Sequence, residues 1–157
     1  KVPLLQTEHG VVADSLAIAE YLNESFPQAQ LWPADKAARA QARSACAQMH
    51  SGFFGLRANL PFDLSRNAPL VPMPAEAQAD IERMAALWAE CRAQSTEVGP
   101  FLFGGATLAD AFFAPVAVRL RTYQVPLSAA DAAYVETIYQ WPAFMAWHKA
   151  GLEEVVR

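Results

Sequence analysis

Residues 1–15, KVPLLQTEHGVVADS, decide how the start of this chain folds. Two short apolar runs flank a turn at His9-Gly10, which is typical of a β-hairpin and predicts strands over residues 2–6 and 11–13. Pro3 is awkward inside a strand because proline has no N–H to donate. A cis Val2–Pro3 bond would turn the backbone groups of Val2 outward toward a ligand. An ordinary trans proline at a sheet edge is the alternative.

An acid and a hydroxyl follow the hairpin at the start of a helix. Asp14 and Ser15 precede apolar residues at helical spacing, which predicts a helix over residues 15–25 that Pro27 ends. The N-terminus of a helix can hold a carboxylate, so this corner and the Val2-Pro3 step together suggest half of a peptide-binding site. The alternative is that Asp14 and Ser15 only cap the helix.

The composition favours a folded protein and excludes several classes of partner. Hydrophobic residues make up 54 % of the 157 residues, charged residues make up 18 %, and the net charge is −4. The charges form no basic patch for nucleic acid, and no apolar run is long enough to cross a membrane. Cys46 and Cys91 form no CxxC motif and have no ligand spacing with the three histidines. We therefore expect two small buried cysteines in a reducing compartment and no metal site.

The rest of the chain has helical patterns separated by proline-rich segments. The helix after Thr107 is apolar almost all round, so it should be central, and Thr107 with Asp110 forms a capping box that predicts a role in folding rather than catalysis. Residues 27–34 read as a linker and residues 60–74 as a loop. The predicted helices cover residues 35–59, 75–95, 107–123, 128–140 and 142–150.

This order of elements resembles the glutathione S-transferase family. The motifs that carry the resemblance are KVPLL (1–5), ADSLAIAEYL (13–22), LWPAD (31–35) and GGATLADAFFAPV (104–116). The resemblance implies an α+β fragment followed by an all-α part. Residues 1–26 would be the C-terminal part of a thioredoxin-like domain, residues 27–34 a linker and residues 35–157 the all-helical domain of a cytoplasmic homodimer. The chain starts with Lys inside a predicted strand, so we expect about fifty residues of the first domain to be missing from its start.

The resemblance also implies that glutathione is the co-substrate. In the family, the residue before the cis-proline exchanges backbone hydrogen bonds with the glutathione cysteine, and Val2 and Pro3 hold those positions here. Ser15 would bind the γ-glutamyl carboxylate through its hydroxyl and backbone N–H, and Asp14 would pair with the γ-glutamyl ammonium.

A second, electrophile-binding site is expected on the helix that follows the linker. The segment MHSGFFGLR, residues 49–57, resembles a bacterial subgroup of the family, and two glycines in a helix are unfavourable unless something approaches closely. His50, Phe53 and Arg57 share one face at i, i+3 and i+7, and Phe112 could add an apolar wall. The alternative is that this helix face packs in a dimer interface or marks a kink in the helix. Trp147 is expected to pack the last helix.

The function implied is that of a bacterial glutathione transferase, which activates the glutathione thiol and adds it to a small hydrophobic electrophile. The family lowers the thiol pKa with a hydroxyl or thiol near the end of its first strand, so the catalytic residue is expected in the missing segment and is assigned to no residue here. Two alternatives stay open. The protein could be a non-catalytic interaction module on the same scaffold, or a free-standing helical domain with a vestigial hairpin.

Overall fold

The computed structural model describes residues 3–155 and begins with an antiparallel hairpin. Strand β1 (Leu4–Thr7) pairs with β2 (Gly10–Ala13), so that Leu5 faces Val12 across the ladder. Gly10 closes the turn with a φ of +122°, which a residue with a Cβ rarely adopts. The predicted hairpin is confirmed. Val2, and with it the Val2–Pro3 bond, lies outside the described residues.

Helix α1 (Ser15–Ser25) follows the hairpin directly and has the predicted bounds. Asp14 is its N-cap, and its Oδ1 accepts a hydrogen bond of 2.8 Å from the backbone N–H of Leu16. Pro27 starts a short 3-10 turn (Pro27–Ala29), after which the linker brings Trp32 into the protein interior.

The helix predicted over residues 35–59 is in fact two helices, α2 (Lys36–Ser51) and α3 (Phe54–Asn59). Gly52 leaves the helical conformation, and Phe53 has a φ of 57°, in the left-handed region. A Cβ on Gly55 would lie 2.5 Å from the carbonyl oxygen of Glu76. The glycine therefore permits a close backbone approach between α3 and the next helix, as the unfavourable glycines in this segment indicated.

The remaining helices match the predictions closely. Residues 60–74 contain no helix or strand. The last helix continues past Ala150 through Gly151, whose missing side chain makes room for Leu64: a Cβ there would lie 2.6 Å from the Leu64 Cδ1. The elements are α4 (Ala75–Gln94), α5 (Leu108–Thr122), α6 (Ala129–Gln140) and α7 (Pro142–Val155).

Helix α5 is central, as its sequence predicted, and packs against α2 and α6. Phe113 of α5 meets Trp88 of α4 edge to face at 5.7 Å between ring centroids, and Trp88 meets Tyr134 of α6 at 4.6 Å. Such aromatic pairs add stabilisation beyond the area that they bury. Within residues 3–155, no helix combines the length and apolar character needed to cross a membrane.

The predicted capping box at the start of α5 is present and extends into a buried network. Each carboxylate oxygen of Asp110 accepts two hydrogen bonds. Oδ1 binds the N–H of Leu102 at 3.2 Å and the hydroxyl of Tyr134 at 3.0 Å. Oδ2 binds the N–H and the hydroxyl of Thr107 at 2.8 and 3.0 Å. Asp110 is fully buried, so these contacts tie α5 to α6 and to the loop before α5, which is a structural role.

Candidate functional site

His50 connects the corner where the hairpin meets α1 to the helical part of the chain. Nε2 of His50, near the end of α2, lies 3.0 Å from Oδ2 of Asp14. Nδ1 of the same ring lies 3.2 Å from the hydroxyl oxygen of Ser15. Asp14 has a φ of 78°, a conformation that costs a non-glycine residue free energy and that is enriched at functional sites.

The chemistry of the Asp14 carboxylate, the Ser15 hydroxyl and the His50 ring determines which atoms carry the protons. A carboxylate only accepts hydrogen bonds, so the ring proton nearest Asp14 sits on Nε2 of His50. In a neutral ring, Nδ1 then accepts a hydrogen bond from the Ser15 hydroxyl. In a doubly protonated ring, Nδ1 donates to Ser15 instead, which leaves the Ser15 hydroxyl proton available for an incoming carboxylate.

A cavity of about 450 Å³ opens beside this corner, between α2, α5 and α7. Ser15 and His50 form its polar edge. Among the described residues, none that lines it is acidic. The apolar walls come from Met49, Phe62, Ala111, Phe112, Pro115 and Trp147, and two cationic side chains, Arg57 and Arg119, complete the lining.

The two arginines are held differently. Arg119 is half-buried, and its guanidinium donates from Nε to the carbonyl of Leu60 at 2.9 Å and from Nη1 to the carbonyl of Pro115 at 3.0 Å. Burial and the nearby charge of Arg57 lower the pKa of Arg119. Arg57 is exposed, and its hydrogen bonds within residues 3–155 are long, at 3.3 Å to the carbonyl of His50 and 3.5 Å to that of Met49.

The structure brings together most of the residues predicted from the sequence. Ser15, His50, Arg57 and Phe112 line one cavity, and Asp14 contacts it through His50. Phe53 does not line it: its ring is 1 % exposed and lies beneath the guanidinium of Arg83, at 3.9 Å. The prediction for Phe53 was wrong because the break after Ser51 rotates that side chain into the core. The glutathione contacts predicted for Val2 lie outside the described residues.

Phe62, Arg119 and Trp147 are among the lining residues that were not predicted from the sequence. Trp147 was expected to be structural, yet it is half exposed and lies 6.0 Å from Phe62, between ring centroids. Arg119 could have been found, because it is one of two cations in a largely apolar helix and lies seven residues after Phe112, on the same face. Phe62 has no such signal, since it lies in a loop.

The two cysteines are free and fully buried, as expected. Burial raises the pKa of Cys91 to about 12, and it also raises the pKa of Cys46. Neither thiol lines the cavity, so neither is placed to act as a nucleophile there. In the part of the chain that the structure describes, no three His, Cys, Asp or Glu side chains are grouped as metal ligands.

Solved structures with the same fold include several with glutathione bound. A glutathione transferase homologue from Burkholderia gl BGR1 with bound glutathione is 26 % identical, with a TM-score of 0.70 over 98 % of this chain and 74 % of that one. A maleyl pyruvate isomerase, described as a bacterial zeta-class glutathione S-transferase, is 25 % identical, with a TM-score of 0.68 over 92 % and 71 % of the two chains. A sphingomonad glutathione S-transferase complexed with glutathione is 25 % identical, with a TM-score of 0.57 over 96 % and 73 %.

Sequence comparison leads to the same family. No curated protein sequence matches the chain. The family described as glutathione S-transferase, C-terminal domain, matches residues 37–150, which cover α2 through most of α7. Because this match spans well over half of the chain and the structural relatives cover nearly all of it, the chain belongs to the glutathione S-transferase family.

Proposed function

We propose that the protein is a glutathione transferase that joins the glutathione thiol to a small electrophile bound in the cavity beside Ser15. The observation that carries the proposal is the corner of Asp14 and Ser15 at the N-terminus of α1, open to a largely apolar cavity. Relatives about 25 % identical have glutathione bound, which supports glutathione as the co-substrate.

We assign the γ-glutamyl end of glutathione to Asp14 and Ser15. An ammonium group matches the Asp14 carboxylate, whose Oδ2 is shared only with a histidine, and a carboxylate matches the hydroxyl and backbone N–H of Ser15. Val2 and Pro3 would pair with the peptide backbone of glutathione as an added strand does. The left-handed backbone of Asp14 supports a functional role for this corner.

The chemistry follows from the thiol. A glutathione thiolate attacks an electrophilic carbon and forms a carbon–sulfur bond, while a leaving group such as chloride departs with its electron pair. Holding both reactants in one cavity replaces a bimolecular encounter by a step within the complex. His50, Arg57 and Phe112 are the residues that we assign to the electrophile's side of the cavity. No residue is proposed as the thiol activator.

Two further features belong to this proposal. We propose a cytoplasmic homodimer, supported by the family resemblance. The proposed domain division at residues 27–34 is supported by the family match, which begins at residue 37.

Retention of the full-length protein on glutathione resin tests the proposal. We expect retention, and we expect Ser15→Ala and Asp14→Asn to weaken glutathione binding about tenfold each, since each removes a charge-assisted contact. Asp14→Asn keeps an oxygen for the N-cap and tolerates the positive φ. Ser25→Ala and Glu24→Ala, exposed at the other end of α1, are the matched controls. A folded protein that is not retained would contradict the proposal and favour the interaction module.

A further inference from the structure

The cavity carries an excess of positive charge that a purely hydrophobic substrate would not need. Arg57 and Arg119 are close enough that the charge of Arg57 lowers the pKa of Arg119, in a chain whose net charge is −4. Neither side chain forms an ion pair with a carboxylate of residues 3–155. Two neighbouring cations without an anion are unfavourable, and a bound anion would relieve their repulsion.

Arg119 is organised in advance as an anion receptor. Its hydrogen bonds to the carbonyls of Leu60 and Pro115 fix the plane of the guanidinium, and the ring of Phe62 lies 5.3 Å from its central carbon. A guanidinium has five N–H donors, and these two hydrogen bonds use two of them. The Nη2 group has no partner among the described residues, so a pair of donors remains for a ligand.

Arg57 supplies a second, adjustable cation. It lies in the last turn of α3, is exposed, and makes only the two long contacts to carbonyl oxygens of α2. Weak contacts and an exposed side chain allow it to move onto a bound group at little cost. The third basic side chain on the lining, His50, is engaged with Asp14 and Ser15.

The remaining walls set the shape of the ligand that these cations would accept. Phe62, Phe112 and Trp147 present aromatic surface, and Met49 and Pro115 complete an apolar enclosure in the same cavity. A planar carboxylate with a single charge matches one guanidinium fork. A phosphate dianion would leave oxygens against apolar walls, where no donors compensate them.

Resting on the proposed transferase function, we propose that the electrophile accepted by this cavity is an organic acid, with an apolar or aromatic body and a carboxylate held by Arg119 and Arg57. In this arrangement the carboxylate anchors the substrate at the α5 side of the cavity. The apolar body extends past Phe112 toward Ser15 and the glutathione position. The two arginines select the substrate and take no part in bond breaking.

Binding of a non-reactive acid tests the anion site apart from turnover. Titration calorimetry of the full-length protein with 3,5-dinitrobenzoate and with its methyl ester compares a carboxylate with a neutral molecule of the same body. We expect the acid to bind about tenfold or more tightly than the ester, since charge-assisted hydrogen bonds are the stronger kind. Arg119→Gln is expected to remove most of this preference, and Arg57→Gln part of it.

Arg121→Gln is the matched control for both variants. Arg121 lies two residues after Arg119 on α5, contacts Glu136 at 3.5 Å and covers the ring of Tyr139, so it points away from the cavity. It removes the same charge from the protein, and the acid preference should survive it. If Arg119→Gln fails to fold because the carbonyl of Leu60 loses its donor, Arg57→Gln provides the same comparison, with melting temperatures as the check.

Turnover measurements distinguish the proposed transferase function from the proposed anion site. With 4-chloro-3,5-dinitrobenzoate and its methyl ester, the thiolate forms a carbon–sulfur bond to the ring and chloride leaves with its electron pair. We expect Arg119→Gln to lower the ratio of kcat/KM for the acid over the ester by about 10- to 100-fold. Acid-selective binding without turnover of either compound would refute the transferase function and keep the anion site. Turnover without acid selectivity would refute the anion site alone.

Glutathione itself carries carboxylates, so it is the other source of an anion for these arginines. If Arg119→Gln weakens glutathione binding and leaves the preference for acid over ester unchanged, the arginines serve glutathione. That result would overturn the inference about the electrophile.

Discussion

Replacing Asp110 by alanine should destabilise the protein strongly without changing its chemistry. The carboxylate is fully buried and accepts four hydrogen bonds, two on each oxygen, from Leu102, Thr107 and Tyr134. Alanine leaves all four donors unpaired in the core. A buried unsatisfied donor costs about 1–3 kcal/mol, and relaxation around the small cavity reduces the sum. We therefore expect a loss of about 3–5 kcal/mol in the free energy of unfolding.

Thermal and urea denaturation followed by circular dichroism measure this effect. For a chain of this size, about 3–5 kcal/mol corresponds to a fall in Tm of about 6–20 °C. Asp110→Asn should lie between wild type and alanine, because its amide keeps one acceptor oxygen for one pair of donors and turns an NH₂ group toward the other pair. Glu90→Ala, an exposed acid on α4, is the control and should change stability by less than about 0.5 kcal/mol.

Activity decides between a structural and a catalytic role for Asp110. Its carboxylate is sealed from the cavity, so kcat of the folded Asp110→Ala protein, measured well below its Tm, should equal that of wild type. A Tm lowered by less than about 2 °C would show that the four hydrogen bonds stabilise the protein less than their burial implies. A large loss of kcat in a protein that remains folded would refute the structural assignment itself.

The other predictions concern the thiols and the histidine. Because burial raises the pKa of Cys91 to about 12 and that of Cys46 as well, almost no thiolate forms at pH 8, and both should react with a thiol reagent such as dithionitrobenzoate only after unfolding. His50→Ala should weaken glutathione binding about three- to tenfold, because the substitution removes the contacts that hold Asp14 and Ser15 against α2. His148→Ala, whose ring packs on α7 and α6 outside the cavity, should leave that affinity unchanged in the same titration.

The polar corner of the site could be predicted because its signals are local. Asp14 and Ser15 stand next to each other at a helix start, and the hairpin turn before them is marked by Gly10. His50 and Arg57 were chosen as candidates because the segment MHSGFFGLR, with its two glycines, interrupts an alanine-rich helical pattern. Each of these signals depends on residues within one or two helical turns, where propensity and capping determine the backbone.

Phe53 shows where such reasoning fails. Its spacing from His50 and Arg57 places all three on one face only if the helix continues, and Gly52 and Phe53 leave the helical conformation instead. The break lets α3 pack tightly on α4, with Gly55 against the backbone of Glu76. The glycines of the segment indicate that something approaches closely, but the helix that does so lies elsewhere in the chain, so the local pattern does not show where the helix breaks.

The sequence by itself determined the hairpin, the order and bounds of nearly all the helices, the capping box of Asp110 and the placement of Asp14 and Ser15 at the start of α1. Neighbouring residues specify these features through backbone hydrogen bonding and periodicity. Only the tertiary structure decided which side chains share the cavity. Arg57 and Arg119 are far apart in sequence, and Trp147 comes from a third helix. Their meeting depends on how the apolar faces of separate helices pack, which is a property of the whole core rather than of any segment.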